Sequence, residues 1–257
     1  MSNMISVACY SLRDEIKKIG MDGMADFLNE IGVENVEINT IYTKAENLAE
    51  DVKVFEAKGI KTVLATLDGN NFFIPDEPED RQDQFDLIKP WLDAAAASGI
   101  GVFRSNMGTP LGIFKNKKKM LQDLVDTFRP IQEYAESLGI TYVFENHGGE
   151  SSDVDFQLKV KQAFSSDKMG FLLDTGNYKP KELVYENIAK LGSAIKIIHA
   201  KTYEFDENGE ETQLDFKRII EGLKAVGFDG YYSIEFEGKG DAREGVKSTV
   251  ALLQKYL

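Results

Sequence analysis

Short apolar runs alternate with longer amphipathic stretches along the chain. The runs predict strands at residues 5–9, 35–39, 61–66, 101–105, 141–145, 170–174, 195–199 and 231–235. Between them the spacing of apolar residues turns helical. Leu48, Val52 and Phe55 share one face of residues 45–58. Phe85, Ile88, Trp91, Leu92 and Ala95 recur at spacings of three and four in residues 80–98, with Trp91 expected in the core between helix and sheet. Residues 117–138 carry Leu121, Leu124, Val125, Phe128, Ile131 and Tyr134 in the same way, and further helices are predicted at 157–164, 181–190, 215–226 and 242–256. Glycines 32, 59, 99, 139 and 227 stand where a helix gives way to a strand, the position that favours a left-handed residue.

The pattern makes eight β-then-α units of about 32 residues each, which predicts a closed (β/α)8 TIM barrel in a single domain over residues 1–257. The alternative, an open doubly wound sheet, would place a Gly-rich phosphate turn after the first strand. The residues there are Tyr10-Ser11-Leu12-Arg13.

Charge narrows the partners. The chain has 257 residues, with 30 Lys and Arg against 43 Asp and Glu, for a net charge of −13. Such a body repels phosphate, so neither nucleic acid nor an anionic membrane is expected as a partner. No apolar run reaches the roughly 18 residues of a membrane span, and no targeting signal is visible at the start. A single cysteine, Cys9, excludes an internal disulfide and a four-thiolate zinc site, in keeping with a reducing, cytoplasmic setting. Homo-oligomerisation is left open.

Barrel enzymes of this kind act at the C-terminal ends of their strands. Four consecutive predicted strands end in an ionisable residue after an apolar run: Glu145, Asp174, His199 and Glu235. Neighbouring strands lie about 4.8 Å apart, so the four side chains can meet at one mouth. Any one of them alone would read as a cap, a salt-bridge partner or a core histidine. Together, three carboxylates and an imidazole suit one divalent ion: Mn²⁺, Mg²⁺, Co²⁺ or Zn²⁺. Without a cation, such close carboxylates would repel. His147, Asn177, Lys201 and Arg104 fall in the same zone and are candidates for substrate binding. Three of them have a plainer reading: Asn177 as a helix cap near residue 181, Lys201 as a solvated loop lysine, Arg104 as a rim salt bridge. Glu37 is balanced between a structural and a functional role, and Glu237 is expected on the rim. Of the aromatic residues near strand ends (Tyr10, Phe72, Phe73, Tyr178 and Tyr203), most are expected to be ordinary loop packing.

These residues resemble the sugar phosphate isomerase/epimerase family of xylose-isomerase-like TIM barrels. The carriers are Phe144-Glu145-Asn146-His147-Gly148-Gly149, Leu173-Asp174-Thr175-Gly176-Asn177, Ile198-His199-Ala200-Lys201 and Ser233-Ile234-Glu235-Phe236-Glu237-Gly238, with the stretch from Asn71-Phe72-Phe73 to Trp91-Leu92-Asp93-Ala94 and Arg104. The resemblance implies one divalent metal, most often Mn²⁺, held by Glu145, Asp174, His199 and Glu235. It also implies proton transfer by Glu145 and Glu235 beside a carbonyl, through a cis-enediolate, on a small-molecule sugar, sugar phosphate or polyol ketone. Two departures stand out. Epimerases of this type commonly carry His where Asn177 stands, and an Arg a few residues after His199, where this chain reads Ala200-Lys201-Thr202-Tyr203-Glu204-Phe205. The expectation is therefore a metal-dependent sugar isomerase or epimerase. A lyase or dehydratase acting on a keto-inositol or dehydroshikimate-like substrate is the first alternative, and a non-catalytic sugar-binding barrel the second.

Overall fold

A computed structural model describes residues 4–69, 73–75, 77–107, 109–110 and 116–257. Eight parallel strands close into a barrel, as expected: β1 (Ile5–Ala8), β2 (Asn35–Asn39), β3 (Lys61–Thr66), β5 (Val102–Asn106), β7 (Thr141–Glu145), β8 (Met169–Asp174), β9 (Ile195–Thr202) and β10 (Tyr232–Phe236). Each pairs with the next around the ring, and β10 closes on β1 through Ile5–Tyr232, Ser6–Ser233 and Val7–Ile234. Two short strands, β4 (Phe73–Ile74) and β6 (Thr109–Pro110), pair beside the barrel. Asn71 and Phe72 lie outside the described residues.

Around the barrel run α1 (Ile16–Glu30), α2 (Leu48–Glu56), α3 (Arg81–Ala97), α4 (Lys117–Ser137), α5 (Val154–Phe164), α6 (Leu183–Leu191), α7 (Phe216–Ala225) and α8 (Ala242–Tyr256). Several begin on a side-chain cap. Asp153, Asp215 and Asp241 each accept a backbone N–H from the first turn of α5, α7 and α8, offsetting donors that a helix start leaves unpaired. Trp91 is only half-buried on α3, although it packs against the main core as expected.

The core has two parts. The larger packs the helices onto the outside of the barrel, through side chains such as Phe27, Phe55, Phe103, Phe128 and Phe216. The smaller contains Val63, Leu64, Val143, Leu172 and Ile197. Val143, Leu172 and Ile197 precede Glu145, Asp174 and His199 by two residues, so they share the same strand face. They form an apolar floor directly beneath the polar residues at the mouth.

Candidate metal and substrate site

The C-terminal ends of β7, β8, β9 and β10 bring Glu145, Asp174, His199 and Glu235 together, all buried. His199 Nδ1 faces the three carboxylates, 3.7 Å from Glu145 Oε1, 3.8 Å from Asp174 Oδ2 and 3.7 Å from Glu235 Oε2. Its other nitrogen, Nε2, lies 3.0 Å and 3.1 Å from the two oxygens of Glu37 on β2. Glu37 in turn accepts from Thr66 Oγ1 at 2.6 Å and Ser233 Oγ at 2.5 Å. A carboxylate behind a histidine fixes the ring so that its free nitrogen is presented to a metal.

Three buried atoms in this group, Asp174 Oδ2, His199 Nδ1 and Glu235 Oε2, have no hydrogen-bond partner. Polar atoms left so are costly unless something else pairs with them. Ligand atoms of Glu145, Asp174 and His199 also lie within 4.8 Å of one another, so this buried triad fits a divalent cation. Backbone bonds brace the set: Asn146 Oδ1 accepts the Asp174 N–H at 2.7 Å, and Asp174 Oδ1 accepts the Gly176 N–H at 2.8 Å.

Two side chains expected to meet substrate, Arg104 and Lys201, border the cavity and also pair with the carboxylates. Arg104, on β5, bonds Glu145 Oε2 directly, donates to the Leu67 carbonyl at 3.0 Å and to Asn106 Oδ1 at 2.8 Å. Lys201 Nζ forms ion pairs at 2.9 Å with both Asp174 Oδ2 and Glu235 Oε2, without hydrogen-bond alignment. Lys201 is buried because β9 runs on to Thr202, which keeps it on the inward face two residues beyond His199. Asn177 joins the two clusters: its Nδ2 donates to Glu145 Oε1 at 3.1 Å, and its Oδ1 accepts from Lys201 at 3.1 Å. It caps no helix, since α6 starts only at Leu183. His147 lies past the end of β7, exposed on the rim, with its backbone N–H donated to Ser151 Oγ.

The charges act on one another strongly. Burial pushes Asp174 up, but Lys201 and His199 outweigh it and hold its carboxyl well below the usual range. Burial, helped by Asp174, leaves Glu235 raised despite His199 and Lys201. Burial opposes charge on His199, yet Glu37, Glu235 and Asp174 prevail and push it up to about 10. Desolvation, with the Arg104 and Lys201 charges, lowers His147.

Above these groups opens a cavity of about 250 Å³. Tyr10, Ile41, Asp68, Asn106, His147 and Glu237 line it beside the buried cluster. Glu37 is the residue whose place sequence reasoning left most open. Thr66 reaches it from the neighbouring β3, and Ser233 from β10, one strand beyond β1.

The chain belongs to the family of xylose isomerase-like TIM barrels, whose model matches residues 14–256. It is similar to the alpha subunit of a C-glycoside deglycosidase from Arthrobacter globiformis, 40% identical over 58 residues, which are 23% of this chain and 16% of that protein. The matched stretches span half or less of the curated relatives' lengths. Among solved structures it is similar to a sugar phosphate isomerase/epimerase from Parabacteroides distasonis, at 19% identity, covering 99% of this chain and 94% of that one, with a TM-score of 0.76. A D-psicose 3-epimerase from Clostridium cellulolyticum, solved with D-tagatose, is 13% identical over 99% of both chains, with a TM-score of 0.79. At these identities the structural likeness carries the fold.

Proposed function

We propose that the protein is a metal-dependent isomerase or epimerase of a small sugar or sugar-like ketone. The observation that carries this reading is the convergence of the buried Glu145, Asp174 and Glu235 carboxylates on His199 Nδ1, which has no hydrogen-bond partner of its own. Glu145, Asp174, His199 and Glu235 would hold the ion, with Mn²⁺ the first choice among oxygen- and imidazole-binding divalent metals. Bound there, the ion supplies positive charge beside the substrate oxygens as the α-proton leaves. The structural relatives described as sugar epimerases and isomerases support the substrate class.

The chain's own residues then divide the work. Glu235, whose carboxyl burial and Asp174 raise in the metal-free protein, is the proposed base. Glu145 enters from β7, with β8 and β9 between it and Glu235, and returns the proton to the other face of the carbon. Arg104 and Asn177 each bind one of its oxygens and fix its orientation. Asp68, His147 and Glu237 stand at the cavity wall to meet hydroxyls. The apolar floor of Val143, Leu172 and Ile197 keeps water from reaching the cluster from below.

The test is proton exchange. Protein stripped with a chelator and restored with Mn²⁺ should incorporate ²H from solvent at the α-carbon of a ketose, and Glu235→Gln should not. No incorporation across a broad panel of ketoses and inosose-type ketones would overturn the reading. A second reading, elimination beside the same carbonyl, would use the same carboxylates, and a short stretch of the chain is similar to a C-glycoside deglycosidase subunit. Loss of a leaving group, seen by mass, separates it from isomerisation.

A further inference from the structure

The place of Lys201 carries an inference about how this chain handles its metal, and it rests on the metal-dependent reading above. Lys201 Nζ lies 2.9 Å from Asp174 Oδ2 and 2.9 Å from Glu235 Oε2. Those two oxygens also face His199 Nδ1, at 3.8 Å and 3.7 Å. A metal bonds such atoms at about 2.0–2.2 Å. A dication drawing on these oxygens would then touch the ammonium that already holds them. Two cations in contact repel strongly in a buried, poorly screened site.

The surroundings are shaped for the lysine. Gly176 leaves room for its stem: a Cβ there would lie 2.8 Å from Lys201 Cδ and 3.0 Å from its Cγ. Asn177 Oδ1 takes a hydrogen bond from the ammonium at 3.1 Å. Glu237 Oε1 stands 3.6 Å away and borders the cavity, so a second acceptor lies towards the substrate side. Glu145, the remaining carboxylate of the set, already has Arg104. The acidic cluster is thus neutralised by the chain's own side chains, and the lysine, a compact charge on a flexible stem, has another seat within reach at Glu237.

We propose that the Lys201 ammonium and a divalent metal ion are alternative occupants of the Asp174–Glu235 oxygens. Metal enters as Lys201 withdraws towards Glu237 and the cavity. The lysine thereby weakens metal binding and, once displaced, faces the substrate.

The test is Mn²⁺ affinity, read by calorimetry and by the free-Mn²⁺ electron spin signal on the full chain. Lys201→Met should bind Mn²⁺ about tenfold more tightly or better, since it removes the competing charge. Lys201→Arg, which keeps the charge on a bulkier head, should bind no more tightly than wild type. A crystal of the wild-type protein grown with Mn²⁺ gives a readout free of any folding defect: Lys201 Nζ should lie beyond about 4 Å from Asp174 Oδ2, past ion-pair range. Equal affinities of wild type and Lys201→Met, or a metal-loaded crystal with the ammonium still on both oxygens, overturn the proposal and leave the metal reading intact. No binding by either protein overturns both. Binding by Lys201→Met alone overturns the displacement, since the lysine then never gives way to metal, and ends the metal-dependent reading of the natural chain.

Discussion

His199 Nε2 rests 3.0 Å from Glu37 Oε2, a contact that reaches from β9 to β2 and leaves Nδ1 facing Glu145, Asp174 and Glu235. Glu37 therefore acts through the histidine rather than on substrate. Glu37→Gln keeps the shape, loses the charge and offers Nε2 a weaker acceptor. Partners of this kind typically contribute 10- to 100-fold to metal affinity, so Mn²⁺ should bind about 10- to 100-fold more weakly. Calorimetry measures it directly, and an unchanged affinity would show that Glu37 serves only to fill the barrel.

Only two histidines exist in the chain, so their titrations can be read separately by nitrogen NMR. In chelator-treated protein, His199 should titrate near 10 and His147 below the ordinary histidine range. The two displacements have opposite causes, carboxylates around the first and desolvation beside two cations at the second. The raised value makes His199 a source of stability at low and neutral pH. That contribution is complete below the unfolded-state value of about 6.5 and is lost as pH climbs towards 10. Asp174 and Glu37, both held low, contribute above the usual carboxylate range and lose their share as pH falls through their folded values. Stability of the metal-free protein should therefore decline on both sides of neutrality, as denaturant melts across pH will show. Co-titration of the two imidazoles near 6.5 would contradict this picture.

Arg104 and Glu145 form a pair with both side chains almost wholly buried. Removing one partner of such a pair typically costs about 3–5 kcal/mol, because the other is left charged and unpaired. Arg104→Met should show a loss of that order in metal-free protein. Added Mn²⁺ should recover part of it, since the stranded carboxylate is also a proposed ligand. A loss that metal leaves untouched would place Glu145 outside the metal site.

The barrel was legible because its signals repeat. Eight apolar runs, seven of them followed by a helical pattern, and a glycine at helix ends such as Gly59 (φ 76°) and Gly139 (φ 81°) leave little freedom. The first helix, α1, was the element that periodicity did not delimit. Gly20 sits inside it with φ 65° and ψ −175°, which breaks the helical period. At the site, strand-end position was enough to single out Glu145, Asp174, His199 and Glu235. What the one-dimensional pattern could not supply was depth and pairing. Strand β9 runs to Thr202 and takes Lys201 into the barrel, while the plainer expectation put it in solvent. The contact of Glu37 with His199 joins strands distant in sequence, and that of Arg104 with Glu145 depends on side-chain reach across adjacent strands; strand periodicity carries no information about either.

Gly176 gives the sharpest test of how tightly the mouth is packed. Its α-carbon faces the Lys201 stem and the Tyr203 hydroxyl, and an added Cβ would come within 2.6 Å of Tyr203 Oη and 2.8 Å of Lys201 Cδ. Neither approach is tolerable, so Gly176→Ala must displace the lysine, the tyrosine or the β8 end. Over-packing of this kind costs about 1–3 kcal/mol. The site should respond as well as the fold, because Gly176 donates its N–H to Asp174 Oδ1 and precedes Asn177, the residue that bridges Glu145 and Lys201. Chemical denaturation should show the loss of stability, and the Mn²⁺ titration should shift with it. A Gly176→Ala protein of wild-type stability and wild-type metal affinity would mean that the Lys201 stem runs elsewhere in solution.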